Sequence, residues 1–185
     1  MKIHTLELQD LILFEPEIYS DERGYFQEVY HFEKYRKYLP EGTVFLQDNL
    51  SYSRYGTIRG LHFQKEPYAQ AKLVRCPVGK ILDVAVDIRR NSPTLGKYIS
   101  LELSEKNHLQ LFIPKGFAHG FSVVSESAIV EYKCDEAYNS DYDAGLRYDD
   151  PEIGIDWKVK KKNQIVSQKD RSLPFLKDLY KFNDQ

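Results

Sequence analysis

The sequence contains little cysteine and no long apolar segment. Only two of its 185 residues are cysteines, Cys76 and Cys134, and each stands in an apolar, strand-like context without CxxC spacing. We therefore expect two buried free thiols instead of a disulfide or a redox pair. The chain has no run of about 18 apolar residues, and residues 1–10 lack the features of a secretory signal. These absences predict a soluble cytoplasmic protein with no membrane segment.

The chain also lacks an excess of charge of either sign. Its 26 Lys and Arg residues nearly balance 28 Asp and Glu residues, for a formal net charge of -2. Proteins that wrap a nucleic acid present a strongly basic surface, so no nucleic acid partner is expected. A small anionic molecule could still be held by a few well-placed cations. Aromatic residues are plentiful, with 14 Tyr and 10 Phe beside one Trp, and these either line a pocket or cover the surface of a β-rich protein.

The middle of the chain alternates short apolar and polar segments between turns rich in Gly, Pro, Asn and Ser. This pattern is typical of an all-β sandwich or barrel. It predicts eight strands, at residues 44–53, 57–64, 71–76, 80–88, 98–103, 109–113, 120–124 and 128–138. Eight strands at this spacing favour a jelly-roll β-sandwich, which often encloses a ligand-sized cavity. With short helices predicted at 31–39 and 172–180, we expect one domain over residues 1–185 with short N- and C-terminal helical decorations.

Three polar residues stand on predicted strands among apolar neighbours. Tyr132 is predicted to point inward, Lys72 either points inward or extends to solvent, and Asp83 either faces water or has a buried partner. Residues two apart on a strand share a face, so Tyr132 lies on the same face as Val130 and Cys134. Lys72 and Asp83 stand among mainly apolar strand neighbours. Burial of either charge is costly unless it is paired. Taken singly, none of these residues supports a function.

A turn motif at residues 113–121 links the predicted fold to a known superfamily. The sequence IPKGFAHGF places Pro114, Gly116, His119 and Phe121 in the pattern P-x-G-x-x-H-x-F, which resembles the second motif of the cupins. Metal-binding cupins also need an H-x-H pair and a nearby Glu, because three or four N and O ligands hold a divalent ion. The segment RGLHFQ at residues 59–64 offers one histidine, His62. We therefore expect a cupin-type jelly roll without a bound metal.

The segment RGLHFQ also resembles the signature of the dTDP-4-dehydrorhamnose 3,5-epimerases, metal-free cupins that act on a dTDP-linked 4-keto-6-deoxy sugar. The resemblance extends over nearly the whole chain in nine blocks, at residues 21–28, 47–49, 59–64, 70–74, 83–87, 114–121, 132–134, 149–157 and 167–170. It implies a homodimeric enzyme that inverts C3 and C5 of dTDP-4-dehydro-6-deoxy-D-glucose to give dTDP-4-dehydro-L-rhamnose, in dTDP-L-rhamnose biosynthesis. No cofactor is expected, because the 4-keto group itself accepts the electrons of the broken C–H bond.

The resemblance implies roles for the residues that would move protons. His62 would be the base that removes a proton next to the ketone, and Asp170 would orient its ring and stabilise its protonated form. Tyr132 would act as the acid on the opposite face of the sugar. Lys72 would stabilise the negative charge of the enolate, which explains an inward-facing lysine.

Further positions match the family's substrate-binding residues. Arg59 is the strongest candidate for the diphosphate, since a guanidinium can contact two oxygens at once. Phe26 would pack on the thymine, and His119 with Asp83 would form a second histidine–carboxylate pair. The residues implied to reach across the dimer interface are Arg23, Phe26 and Glu28, and those of the receiving subunit are Gln47, Asn49, Arg59 and Tyr138, with Lys169 and Asp143 as further ligands.

The chain departs from the family pattern at a few positions, namely Phe63 for Tyr, Ser140 for Pro, Asp143 for Glu, Tyr148 for Trp and Lys158 for Pro. Asp143 shortens an implied ligand by one methylene, so nucleotide affinity or preference is the property it would alter. An epimerase that inverts one carbon, or that takes another nucleotide sugar, would use the same proton-transfer residues. A metal-dependent cupin enzyme and a sugar-binding module without catalysis are the alternatives from other classes.

Overall fold

The structure is a computed structural model that describes residues 1–180, and the β-strand is its dominant element. The strands are β1 (Lys2–Thr5), β2 (Ile12–Glu15), β3 (Ile18–Asp21), β4 (Gly24–Gln27), β5 (Gln47–Arg54), β6 (Thr57–Gln64), β7 (Lys72–Val78), β8 (Lys80–Asp87), β9 (Tyr98–Ser104), β10 (Gln110–Ile113), β11 (Phe117–Val123), β12 (Ser127–Cys134), β13 (Asp143–Gly145) and β14 (Ile165–Val166). Three one-turn helices accompany them, α1 (Phe32–Tyr35), α2 (Gln168–Arg171) and α3 (Leu176–Leu179).

These strands form two large sheets and one hairpin. The first sheet has the order β1-β2-β10-β7-β12-β5, and the second has the order β13-β6-β11-β8-β9, with β14 beside β6. The pairings within both sheets are antiparallel, apart from the parallel pair of β14 with β6. Strands β3 and β4 form a two-stranded sheet of their own. This topology is the all-β jelly-roll sandwich that the sequence predicts.

The main hydrophobic core lies between the two sheets. Val74 and Val130 of the first sheet pack there with Ala85 and Phe121 of the second. A further cluster covers the outer face of the second sheet, where Trp157 of the C-terminal segment is buried. Strands β8 and β11 are therefore buried on both faces. Any polar side chain on these two strands must find its partners inside the protein.

The N-terminal 40 residues contribute more than a helical decoration, contrary to the prediction. Strands β1 and β2 extend the first sheet, and β2 pairs with β10. Phe14 of β2 is fully buried in a cluster with Tyr35 and Phe112, so burial of this strand's apolar face fixes it to the sheet. The predicted helix at 31–39 is helical only over Phe32–Tyr35, and the region 172–180 holds one helical turn, Leu176–Leu179.

The predicted central strands are present, with shifted ends. The prediction at 57–64 matches β6, whereas those at 44–53, 120–124 and 128–138 correspond to Gln47–Arg54, Phe117–Val123 and Ser127–Cys134. β11 begins earlier because it follows directly on the turn at Gly116, which has a positive φ of 85°. β12 ends earlier because the Asp135 carboxylate accepts the Ala71 N–H at 2.6 Å and closes the ladder.

Both cysteines are buried free thiols, as predicted. Burial raises the pKa of Cys76 to about 12 and that of Cys134 to about 11, which keeps both protonated at neutral pH. Over residues 1–180, helices are too short and too polar to cross a bilayer.

Candidate active site

A cavity of about 290 Å³ opens between the two sheets. Its walls come from β5, β6, β7, β12 and β13, from the loop after β12 and from α2. The sequence-predicted residues that line it are Gln47, Asn49, His62, Lys72, Tyr132, Tyr138, Asp143 and Lys169. Four residues that were not predicted complete the lining, Phe63, Gln64, Gln70 and Cys134. The structure thus gathers most of the implied site from six separate parts of the chain.

His62 forms a hydrogen-bonded pair with Asp170 at one wall of the cavity. His62 Nε2 lies 2.8 Å from Asp170 Oδ1, and Asp170 Oδ2 accepts the Gly60 N–H at 3.2 Å. The Ser167 hydroxyl accepts the Asp170 N–H at 3.0 Å and begins α2, which fixes the carboxylate's direction. Burial by itself raises the pKa of Asp170, but the hydrogen bond and charge of His62, together with the hydrogen bonds to Gly60 and Ser167, outweigh it, so this pKa lies below its ordinary value. The ionised carboxylate is therefore held against the imidazole ring.

The glycine before His62 is required by the close approach of β6 and β11. Gly60 has a φ of 126°, and a Cβ at this position would lie 2.6 Å from the Gly120 Cα. A larger residue would separate the two strands and move the N–H that Asp170 accepts. The glycine of RGLHFQ, Gly60, is therefore needed to hold the Asp170 carboxylate that orients His62.

Lys72 and Tyr132 lie across the cavity on neighbouring strands of the first sheet. Tyr132 pairs with Val74, and Lys72 pairs with Cys134, so both side chains point to the same side. The Lys72 Nζ is 6.0 Å from the centre of the Tyr132 ring and 3.5 Å from the His62 carbonyl oxygen. Lys72 is only 9% exposed, and burial lowers its pKa. Burial also raises the pKa of Tyr132, which keeps its hydroxyl protonated at neutral pH.

His119 and Asp83 form a second pair beneath the cavity wall. The His119 Nε2 lies 2.8 Å from the Asp83 Oδ1, and both side chains are buried. His119 stands opposite His62 on the adjacent strand. Within residues 1–180, the second carboxylate oxygen of Asp83 is buried without a hydrogen-bond partner. Neither residue is part of the cavity lining, whereas in the first pair the histidine, His62, lines the cavity.

Arg59 and the hairpin residues are not part of the lining of this cavity. Arg59 is exposed, and its Nε donates to the Ser53 hydroxyl at 3.0 Å. The hairpin of β3 and β4 carries Arg23, which bonds to Asp21 through its Nε at 3.0 Å, and Phe26, which is 67% exposed. Glu28 follows the hairpin and forms an ion pair with Lys34. The chain alone therefore does not bring Arg23, Phe26 and Glu28 to His62.

A polar cluster stands at the cavity mouth. The Tyr138 hydroxyl donates to Asp143 Oδ2 at 3.3 Å, and the Lys169 ammonium bonds to the same carboxylate oxygen. The hydrogen bond to Asp143 raises the pKa of Lys169. Lys169 directly precedes Asp170, so this cluster and the His62–Asp170 pair share one helical turn.

Two of the missed lining residues carried a sequence signal. Gln64 is two positions from His62 and therefore shares its strand face, and Cys134 shares the face of Tyr132 in the same way. Gln70 and Phe63 offered no such signal. Among the described residues, no group of three or more His, Cys, Asp and Glu side chains is arranged as a metal site.

Comparison with known proteins identifies relatives over almost the full chain. The family model described as "dTDP-4-dehydrorhamnose 3,5-epimerase" matches residues 5–178. The Shigella flexneri dTDP-4-dehydrorhamnose 3,5-epimerase is 45% identical over 170 residues, which covers 92% of this chain and 93% of that protein.

Two solved structures have folds closely similar to that of this chain. The crystal structure of dTDP-4-dehydrorhamnose 3,5-epimerase from Elizabethkingia anophelis has a TM-score of 0.92 at 46% identity and covers 97% of this chain and 98% of that one. The Legionella pneumophila dTDP-6-deoxy-D-glucose-3,5-epimerase, solved in complex with dTDP-4-keto-L-rhamnose, has a TM-score of 0.92 at 40% identity and covers 96% and 94%.

Proposed function

The chain belongs to the dTDP-4-dehydrorhamnose 3,5-epimerase family, and from this premise we propose that it inverts C3 and C5 of dTDP-4-dehydro-6-deoxy-D-glucose to give dTDP-4-dehydro-L-rhamnose. It is an isomerase of dTDP-L-rhamnose biosynthesis, and its substrate is a dTDP-linked sugar. The observation that carries the proposal is the cavity that places His62 with Asp170 opposite Lys72 and Tyr132. We further propose that the chain acts as a single domain.

The first chemical step is removal of a proton from the carbon next to the 4-keto group. His62 binds Asp170 through Nε2, so Nδ1 is the ring nitrogen that faces this task. When the ring takes the proton, its positive charge is stabilised by the adjacent carboxylate. The side chain of His62 is 33% exposed, which leaves it accessible to a sugar in the cavity.

The electrons of the broken C–H bond move onto the ketone oxygen and form an enolate. Lys72 is the cation in the cavity lining that is buried, so its attraction for this oxygen is only weakly screened by water. Tyr132 then donates its hydroxyl proton to the opposite face of the carbon, which inverts the centre. His62 then releases its proton to solvent and the Tyr132 phenolate takes one up, which restores both groups. The same steps follow at the second carbon, and the ketone serves as electron acceptor both times.

The nucleotide half of the substrate is proposed to lie at the cavity mouth. Tyr138, Lys169 and Asp143 line this edge, and Gln47 and Asn49 lie beside it on β5. Arg59 supplies charge to the diphosphate after leaving the Ser53 hydroxyl. His119 and Asp83 support the wall behind His62.

A homodimer completes the site. The hairpin of β3 and β4 exposes the aromatic side chains of Tyr19, Tyr25 and Phe26 at 55%, 59% and 67%. Exposed aromatic groups of this size, grouped on one projecting hairpin, are suited to a protein contact. Arg23 and Glu28 at the two ends of β4 would then contact the neighbouring nucleotide, with Phe26 against the thymine.

Product analysis tests the reaction itself. The purified protein is incubated with dTDP-4-dehydro-6-deoxy-D-glucose, and the sugar is followed by proton NMR. We expect inversion at both C3 and C5. Inversion at one carbon would instead identify a mono-epimerase, and an unchanged sugar in the presence of folded protein would contradict the proposal.

Subunit mixing tests the shared site. Arg23→Ala and His62→Ala are each expected to reduce activity strongly as pure homodimers. When the two variants are mixed and allowed to exchange subunits, a mixed dimer contains one site with both residues intact. Activity should therefore reappear on mixing. No recovery, with subunit exchange demonstrated by mass spectrometry, would show that Arg23 and His62 act within the same chain or that Arg23 has no role.

A further inference from the structure

The amides of three glutamines converge on one short segment at the cavity mouth. This glutamine clamp consists of Gln47, Gln64 and Gln70, which stand on β5, at the end of β6 and just before β7. The segment that they hold is residues 136–139, which follows the end of β12 and precedes a one-turn 3-10 helix at Ser140–Tyr142. Strand pairing in β12 ends at Cys134. Beyond that residue, side-chain amides and not neighbouring strands form hydrogen bonds to the backbone of residues 136–139.

Gln64 forms the centre of the clamp. Its Nε2 donates to the Ala137 carbonyl at 3.2 Å and to the Tyr68 carbonyl at 2.7 Å. Its Oε1 accepts the Asn139 N–H at 2.7 Å. Gln64 is only 5% exposed, so water does not readily replace these hydrogen bonds. A primary amide suits this place because it offers two donors and an acceptor at once.

Gln70 and Gln47 bind the same segment from the two sides. The Gln70 Nε2 donates to the Glu136 carbonyl at 2.7 Å, and the Gln47 Oε1 accepts the Tyr138 N–H at 2.9 Å. Together with Gln64, the clamp holds a backbone group of every residue from 136 to 139. The amide of Gln47 also donates to Asn49 Oδ1 at 2.9 Å, so the clamp is continuous with the β5 wall.

The residue that this arrangement positions is Tyr138. Its side chain is 54% exposed, and its hydroxyl contacts only the Asp143 carboxylate among the bonds formed by the described residues. A tyrosine so exposed has little packing of its own to fix its place at the mouth. Its position therefore depends on the backbone on either side, which Gln64 holds at both neighbouring residues.

We propose that Gln64 and Gln70 are positioning residues that set the affinity for the nucleotide by fixing Tyr138 at the cavity mouth. The role of Tyr138 as a nucleotide contact rests on the proposed function. Gln64 and Gln70 also line the cavity, but their amides bond to backbone groups of residues 136–139 and Tyr68 and not to His62, Lys72 or Tyr132. Changes at these two glutamines should therefore act on binding more than on proton transfer. The clamp is thus distinct from the pair of His62 with Asp170, although Gln64 stands two residues from His62.

The test uses Gln64→Met and Gln70→Met, since Met keeps the length of the side chain and adds no charge near the base. Isothermal titration calorimetry with dTDP alone should show a Kd raised about tenfold for Gln64→Met and less for Gln70→Met, because fewer bonds are lost. The KM for the nucleotide sugar should rise in parallel while kcat stays within about twofold. Gln9→Met, at an exposed position on the surface, is the matched control and should leave both constants unchanged.

A double-variant cycle separates positioning of Tyr138 from general loosening of the fold. In a Tyr138→Ala background, Gln64→Met should raise the Kd by less than about twofold, because the residue it positions is gone. If Gln64→Met raised the Kd for dTDP by the same factor with and without Tyr138→Ala, the proposal would be overturned. A fall in kcat at unchanged KM would also overturn it. If Gln64→Met does not fold, Gln70→Met carries the same cycle. Binding of dTDP is read without turnover, so a wild-type protein that binds dTDP but does not epimerise refutes the proposed reaction and not the clamp.

Discussion

Within residues 1–180, two histidine–aspartate pairs on neighbouring strands share the same geometry in different surroundings. In both, the histidine Nε2 lies 2.8 Å from a carboxylate Oδ1, and His62 and His119 stand opposite each other on β6 and β11. The His62 side chain is 33% exposed and lines the cavity, whereas that of His119 is 7% exposed and lies outside the lining. The hydrogen bond alone therefore does not make a base. We propose that access to the cavity distinguishes the pair that would move protons from the pair that would support the wall.

The largest expected effect is a difference in kcat between the variants His62→Ala and His119→Ala. His62→Ala removes the base and should lower kcat on the order of a thousandfold, within the range that general acid–base groups contribute. His119→Ala removes a supporting group and should lower kcat by about tenfold or less in the fraction that remains folded. Initial rates from a coupled product assay give both values. Equal losses in the two variants would remove the functional difference between the pairs.

Lys72 provides the next largest effect and tests the electrostatic part of the site. Lys72→Met keeps a long side chain but removes the cation that would face the enolate oxygen. Loss of one such stabilising group costs about 10²–10³ in kcat in measured oxyanion sites. The KM should change much less, because the charge develops only during the reaction. A raised KM with unchanged kcat would assign Lys72 to ground-state binding instead.

The two alanine variants should rank in the opposite order by stability: His119→Ala should lower the Tm more than His62→Ala, although it lowers kcat less. His119→Ala leaves the Asp83 carboxylate, which is fully buried, without its partner. Breaking a buried pair in this way costs about 3–5 kcal/mol, which corresponds to a fall in Tm on the order of 10 °C for a chain of this size. His62→Ala should lower the Tm by about half of that or less, since Asp170 keeps its hydrogen bond from the Gly60 N–H and the His62 side chain that is removed is already 33% exposed.

Differential scanning calorimetry of the two variants and the wild type gives this ranking. A lower Tm for His62→Ala than for His119→Ala would contradict the division of roles, because it would make the exposed pair the structural one.

The smallest expected effect concerns the pH dependence of stability. The pKa of Asp170 is lowered in the folded protein, so its ionised form stabilises the fold above its unfolded pKa of about 3.9. That contribution is lost as the pH falls through the folded pKa. The Tm difference between wild type and Asp170→Asn should therefore be largest near neutral pH and shrink below about pH 4. In a His62→Ala background the difference should depend less on pH, because the main cause of the lowered pKa is absent.

Parts of the site could be predicted from strand alternation alone. The inward position of Tyr132 follows from the period-two pattern in β12, whereas alternation in β7 and β8 left Lys72 and Asp83 either facing solvent or buried with a partner. Asp170 could not be found in this way, because it lies 108 residues from His62 and reaches it through the separate turn α2. Only the resemblance to the family joined the two. Alternation likewise gave no reason to pair Asp83 with His119 in particular.

The N-terminal strands were missed for a related reason. β1 and β2 are four residues each, too short for a periodic signal, and β2 is held by β10 from a distant part of the chain. The shared apolar cluster around Phe14 stabilises them, and such a contact is tertiary. Segment 136–139 is similar, since its fixed shape depends on glutamine side chains from three other elements. Local sequence predicts elements well where neighbours in the chain are also neighbours in space.

Solvent deuterium exchange tests the central claim that His62, and not His119, removes the protons next to the ketone. The nucleotide sugar is incubated in deuterated water with wild type, His62→Ala or His119→Ala, and label at C3 and C5 is located by NMR. The account predicts label at both carbons with wild type and with folded His119→Ala, and none with His62→Ala. Label at both carbons with His62→Ala would contradict it, as would a wild-type protein that places label at one carbon only.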